Sequence, residues 1–142
     1  MEEEKPRLII FDLDDVMVEW GFIFKKDAKY ILYLLKEEFG FDVKIVTSRW
    51  LVPYILAVAW LWINNLDIKV EMSGPNGNKA DYYKSAYMFA DNDPKHVLSV
   101  LESGKVERVC LFSNDKEAKL ETEKEYFIVS DWWDIVWVAF VQ

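Results

Sequence analysis

The chain has 142 residues, 52% of them hydrophobic and 30% charged, so it is long enough to bury a core and too apolar to be disordered. Its net charge of -8 at pH 7, with basic residues scattered along the sequence, argues against a nucleic-acid groove as the main binding surface. The apolar run from Leu51 to Ile63 is short of the roughly 18–20 residues needed to cross a bilayer and contains Pro53, and Met1 to Arg7 is acidic with no apolar signal region. The expectation is one cytoplasmic domain spanning residues 1–142, with no membrane partner. The lone Cys110, inside the apolar run Val109 to Phe112, reads as an inert core thiol in a reducing compartment.

In chain order, Leu8 to Phe11 is a short apolar run that ends in Asp12, Asp14 and Asp15, as a strand buried on both faces of a parallel sheet would. Strand alternation would send Asp12 and Asp14 roughly the same way, and two carboxylates about 4 Å apart repel by roughly 4 kcal/mol at an effective dielectric near 20. Such a pair calls for a cation, a shared proton or water. A divalent-metal site is one reading, and an acidic turn capping a core strand is the other.

Met17 to Phe24 suits a short hairpin folded over these acids. Asp27 is placed to cap a helix carrying Ile31, Leu32, Leu35 and Phe39, with Gly40 as its stop. Val43 to Thr47 is a second strand, ending in Thr47-Ser48-Arg49. A helix then runs from Pro53 to about Asn64, apolar on nearly all sides; it is either deeply packed or partly covered by a partner subunit.

Ile68 to Met72 is a third strand, followed by a loop and a short helix at Lys79 to Lys84 capped by Asn78. Tyr87 to Ala90 is a fourth strand, delivering Asp91-Asn92-Asp93, and Pro94 opens a helix through Leu101 that Gly104 closes. Arg108 to Phe112 is a fifth strand, Asp115 to Glu125 a charged helix or loop with a solvated face, and Tyr126 to Val129 a sixth strand. Ser130 is placed to cap a last helix bearing Trp132, Trp133 and Trp137. Strands alternating with helices predict an α/β protein, a three-layer α/β/α Rossmann-like fold around a mostly parallel sheet.

In such a sheet all strand ends lie on one edge, so Asp12 and Asp14, Thr47 and Ser48, and Asp91 to Asp93 can converge, with Lys79 in reach. Carboxylates, a hydroxyl and an ammonium are what a metal-bound phosphoryl group needs. At this point the chain resembles the haloacid dehalogenase superfamily of phosphotransferases through four motifs. These are Phe11-Asp12-Leu13-Asp14-Asp15-Val16, Ile45-Val46-Thr47-Ser48-Arg49, Lys79, and Phe89-Ala90-Asp91-Asn92-Asp93-Pro94. The interval from Lys79 to Asp91 and the Thr-Ser-Arg sequence look most like the deoxyribonucleotidase and related small-phosphatase branches.

The resemblance implies a phosphomonoester hydrolase in which Asp12 attacks phosphorus and Asp14 serves as acid and then base. It implies Mg²⁺ held by Asp12, the Asp14 backbone carbonyl and Asp91, with Thr47 bonding the phosphoryl oxygens and Lys79 offsetting charge. Ser48, Arg49 and Trp20 are candidate substrate contacts for a small-molecule phosphate such as a nucleotide. Trp20, with Phe22 and Phe24, would stack on a base or else pack the flap onto the core, and Arg49 would touch substrate or form an ion pair on the rim.

The chain departs from the pattern at Asp15 and Val16, where many members have Gly and Thr, and at Asn92, where a second acid is displaced to Asp93. No cap domain fits either insertion point, so the site is expected to be open. A catalytically silent module of the same fold is the alternative function, and a receiver-like phosphoacceptor ranks last because Met72-Ser73-Gly74 supplies no acid. His96 is expected to be solvated or capping, and the tryptophans to be core or a homodimer surface.

Overall fold

The computed structural model describes residues 7–19, 23–48, 51–73, 77–115 and 117–141. Six strands form one sheet in the order β5-β4-β1-β6-β7-β8 and every neighbouring pair is parallel, which bears out the α/β expectation and sharpens "mostly" to all. The strands are β1 (Leu8–Phe11), β4 (Asp42–Thr47), β5 (Lys69–Met72), β6 (Ala86–Asp91), β7 (Val106–Phe112) and β8 (Phe127–Val129). A separate antiparallel hairpin, β2 (Val18–Glu19) with β3 (Ile23–Phe24), follows β1 where the flap was expected.

Side-chain alternation divides the core into two layers. Ile9, Phe11, Ile45, Met88, Ala90, Cys110 and Phe112 face helices α1 (Ala28–Tyr33), α2 (Leu51–Ile63) and α4 (Trp132–Phe140). Ile10, Val46, Phe89, Val109 and Leu111 face α3 (Pro94–Ser103) and the tight turn at Lys79–Tyr82. Strand β1 is central, so its Ile9, Ile10 and Phe11 are each fully buried. A run of four apolar residues without alternation follows from that position.

From β1 the chain passes to β4 and β5 on one side, whereas β6, β7 and β8 build outward on the other. The reversal falls between β1 and β6. The C-terminal edge at such a reversal is where α/β sheets ordinarily bind ligands.

Several local expectations are corrected. Asp27 occupies the position before α1 with φ of 64°, yet its side chain caps nothing and accepts from Trp133 Nε1 at 2.9 Å, tying α1 to α4. Helix α1 continues into a wider turn, Leu34–Glu38, whose following amide donates from Phe39 to the Leu34 carbonyl. Asp131, not Ser130, caps α4: its carboxylate accepts from the Asp134 amide at 2.8 Å, and Asp134 in return accepts from the Ser130 amide at 3.0 Å. A carboxylate at each end of this exchange satisfies two amides, which one serine hydroxyl cannot do.

The segment from Asp115 to Glu125 is a loop among its described residues, with Ala118 and Leu120 packed on the second core layer. Gly104 ends α3 at φ of 68°, the left-handed conformation its sequence position required. Cys110 is fully buried, and burial pushes its thiol pKa up, as an inert core cysteine requires. Among the described residues no helix is long and apolar enough to cross a membrane.

Candidate active site

Asp12 is the first residue beyond β1, and its amide donates to the Ala90 carbonyl at 3.0 Å, which locks the end of β1 to β6. Because Phe11 lies level with Ala90 in the register, Asp12 and Asp91 leave adjacent strands at the same height. Both are buried, at 6% and 0% exposure.

Between them stands the Lys79 ammonium, 2.8 Å from Asp12 Oδ1 and 2.7 Å from Asp91 Oδ2, with the lysine 1% exposed. Two carboxylates and one ammonium leave a formal charge of -1 in a desolvated pocket.

The short turn that presents Lys79 is held at several points. Asn78 Oδ1 accepts from the Ala80 amide at 3.0 Å and from Ser99 Oγ of α3 at 3.0 Å. Lys105 Nζ donates to the Ala80 carbonyl at 2.8 Å. Ahead of it, a Cβ on Gly77 would meet the Ser73 carbonyl oxygen at 2.0 Å, so the chain passes there only as glycine. These contacts fix the backbone from which the Lys79 side chain extends.

Electrostatics follow from this burial. Asp12 is pushed up to about 8, first by desolvation and then by the charge of Asp91, against the opposing pull of Lys79. For Lys79, burial alone would favour the neutral amine, but the charges of Asp12 and Asp91 outweigh it and hold the pKa above the usual value. The pocket therefore holds an anionic surplus that a proton or a further cation would relieve.

Asp91 uses its second oxygen, Oδ1, to accept from the Asp93 amide at 2.9 Å. Asp93 itself caps α3, its Oδ1 accepting from the Lys95 amide at 2.9 Å. The displaced acid of the fourth motif is thus committed to helix capping, which fixes the loop that carries Asp91 and Asn92. Asn92 is half-buried.

Thr47 ends β4 beside β1 and is fully buried, and its carbonyl accepts from the Ser73 amide at 2.8 Å and from Ser73 Oγ at 3.2 Å. Ser48 follows it, half-buried, at the same edge of the sheet. Asp14 does not continue β1: the strand stops at Phe11, and Asp14 sits half-buried in a turn where Met17 and Val18 donate to the Leu13 carbonyl. The alternation expected to align it with Asp12 does not apply beyond the strand. Trp132 braces this turn from α4, with Nε1 donating to the Val16 carbonyl at 2.8 Å and its ring 4.8 Å from Phe11. Trp20, Phe22 and Arg49 lie outside the described residues.

His96 is not solvated. It is 8% exposed, with Nε2 3.6 Å from Asp93 Oδ2, and burial together with the nearby Lys79 charge lowers its pKa. The helical spacing of His96, Val97 and Val100 carried that signal, since the three share the buried face of α3.

The donor set suits a hard divalent cation in its chemistry: the carboxylates of Asp12 and Asp91 in an anionic pocket. Among the described residues no three His, Cys, Asp or Glu side chains gather as a closed metal cage. Two carboxylates fit Mg²⁺, which commonly keeps several waters and takes only one or two from protein. The fold and site define a parallel α/β protein with a buried Asp-Lys-Asp cluster at its strand-order reversal. Comparison of the chain with protein-family models, with curated proteins and with solved structures finds no match.

Proposed function

We propose that the chain is a Mg²⁺-dependent phosphomonoester hydrolase of the haloacid dehalogenase type, working through an aspartyl-phosphate on Asp12, with nucleotides as the first substrate class to try. One observation carries the reading. Asp12, Lys79 and Asp91, spread over 80 positions of sequence, share direct contacts of 2.8 and 2.7 Å in one buried pocket at the ligand-binding edge of the sheet.

In this reading Asp12, the Asp14 carbonyl and Asp91 would hold Mg²⁺, which when bound would offset charge on the phosphoryl oxygens and on Asp12. An Asp12 oxygen attacks phosphorus, the bond from phosphorus to the ester oxygen breaks, and Asp14 gives that oxygen its proton. Water then attacks phosphorus, passing a proton to Asp14 and releasing phosphate and free Asp12. Lys79 favours the ionised form of Asp12 against burial and holds it in place, while Thr47 and Ser48 offer hydroxyl donors to the phosphoryl group. Arg49 and Trp20 complete the proposal as substrate contacts.

The proposal also includes a cytoplasmic location, supported by the lone reduced-type core thiol of Cys110, and pairing of two copies through exposed aromatic surface. The test is hydrolysis of p-nitrophenyl phosphate and a panel of nucleotides. Turnover should require Mg²⁺, stop on chelation, and fall by at least roughly a thousandfold in Asp12→Asn, the scale of losing a covalent nucleophile. Full turnover in Asp12→Asn refutes the mechanism. Absence of Mg²⁺-dependent turnover in the wild type favours the alternative, a silent module of the same fold, for which Asn92 in the fourth motif is the supporting feature.

A further inference from the structure

Helix α2 reads as two helices in one. Its Ala57 and Leu61 are 1% exposed and pack into the core with Tyr54 and Trp60. The opposite face carries Ile55 at 55%, Leu56 at 52%, Val58 at 39%, Trp62 at 80% and Ile63 at 70% exposure. A surface helix ordinarily turns charged and polar residues outward. Here no Asp, Glu, Lys or Arg occurs from Leu51 through Ile63, in a chain whose net charge is -8.

Ile55, Val58, Ala59 and Trp62 follow the i, i+3, i+4, i+7 spacing of a helix-packing seam. With Tyr54 they line an open groove of about 420 Å³. Trp62 stands at one end of the seam as a knob, and small Ala59 with Val58 leaves the depression at its middle.

We infer that this face is the contact between two copies of the chain, with the two α2 helices packed antiparallel across a two-fold axis at Val58–Ala59. It deepens the pairing proposed above by naming its helix and register, and it does not depend on the phosphatase reading.

Three features select a second copy as the occupant. First, the seam supplies its own complement: antiparallel crossing at Val58–Ala59 sets each Trp62 against Ile55 of the other copy, knob into groove, as an isologous interface requires. Second, the five exposed side chains present about 500 Å² of apolar surface per copy, so two copies reach the ~1,000 Å² at which specific interfaces begin, before any rim is counted. Third, the seam carries no charge, so a basic partner has nothing there to pair with. Two acidic chains can meet on it without placing carboxylates face to face.

The last point fixes a sign. Two bodies of charge -8 repel at long range, and salt screens that repulsion, so dimerisation should tighten as salt rises. Docking of a basic partner would weaken instead.

The experiment is analytical ultracentrifugation of the wild-type chain across a range of concentrations at about 0.05 and about 0.5 M salt. A concentration-dependent dimer, tighter at the higher salt, is expected. Val58→Glu and Trp62→Glu, each burying an unpaired charge at the seam, should raise the dissociation constant at least about tenfold. Circular dichroism checks that they fold.

Ala59→Cys provides a reading that does not need those variants. The two new thiols face each other at the crossing and should form an intermolecular disulfide under mild oxidation, while buried Cys110 stays reduced. A wild type that stays monomeric throughout, a dimer that survives both glutamates, weakening by salt, or no cross-link at position 59 each overturns the inference. Since the readout is mass and not turnover, its failure and that of the phosphatase reading are separable.

Discussion

Replacing Lys79 by methionine tests the site most directly, because it removes one charge and keeps the stem that fills the space. The ammonium makes contacts of 2.8 and 2.7 Å with two carboxylates that are otherwise buried side by side. Breaking a buried ion pair by deleting one partner costs about 3–5 kcal/mol, a large part of the 5–15 kcal/mol that holds a typical domain folded. For a chain of this size that corresponds to a fall of roughly 10–15 °C in Tm at pH 8.

At pH 5 the loss should be smaller, since Asp12, with a folded pKa near 8, is already protonated there and the ammonium faces the Asp91 charge alone. Chemical denaturation of metal-free Lys79→Met, Asp12→Asn and the double variant, at both pH values, measures this. The double variant should recover part of the loss, with a coupling of about 0.5–3 kcal/mol expected for groups in contact. A cost under about 1 kcal/mol for Lys79→Met at pH 8, or strict additivity in the double variant, would refute the claim that Lys79 neutralises the pair.

The raised Asp12 pKa gives a second prediction. With a folded value near 8 against 3.8 for the free side chain, the folded state binds more protons than the unfolded state across that window. Stability of the metal-free protein therefore falls as pH rises from about 4 to about 8, and the slope should be absent from Asp12→Asn. Thermal melts in chelator read it, and a wild-type midpoint that climbs no less than the variant's would contradict it. His96 acts oppositely: its lowered pKa withdraws stability as pH drops below 6.5, so the comparison with Asp12→Asn isolates the carboxylate. Third, Trp132→Phe leaves the Val16 carbonyl without its indole donor, at a cost of about 1–3 kcal/mol. Because that carbonyl belongs to the turn holding Asp14, the proposed phosphatase turnover should fall as well. Unchanged urea midpoints would show that the contact does not brace the turn.

Much of the architecture was legible in the residues themselves. The unalternating Leu8–Phe11 run, closed by polar residues, reads as a strand covered on both faces, and the spacing of strands and helices left a parallel sheet as the economical arrangement. The acids at strand ends, the Asn78 and Asp93 caps and the Gly104 stop all have local chemistry that sequence displays. Local chemistry also misled where a competing partner lay far along the chain. Asp27 had the position of a cap but gave its carboxylate to Trp133, 106 residues away, and Ser130 yielded to Asp131 because Asp134 returned the bond.

What the order of residues determined by itself was the set of elements and the edge of the sheet on which polar groups would gather, since both depend on periodicity and on parallel connection. Only the tertiary structure decided that Lys79 is inserted between Asp12 and Asp91, and that one face of α2 is left uncovered. Each of these depends on register and packing between segments tens of residues apart. Such distances and exposures are absent from sequence periodicity, because one apolar helix pattern serves equally for a buried face and for an exposed one.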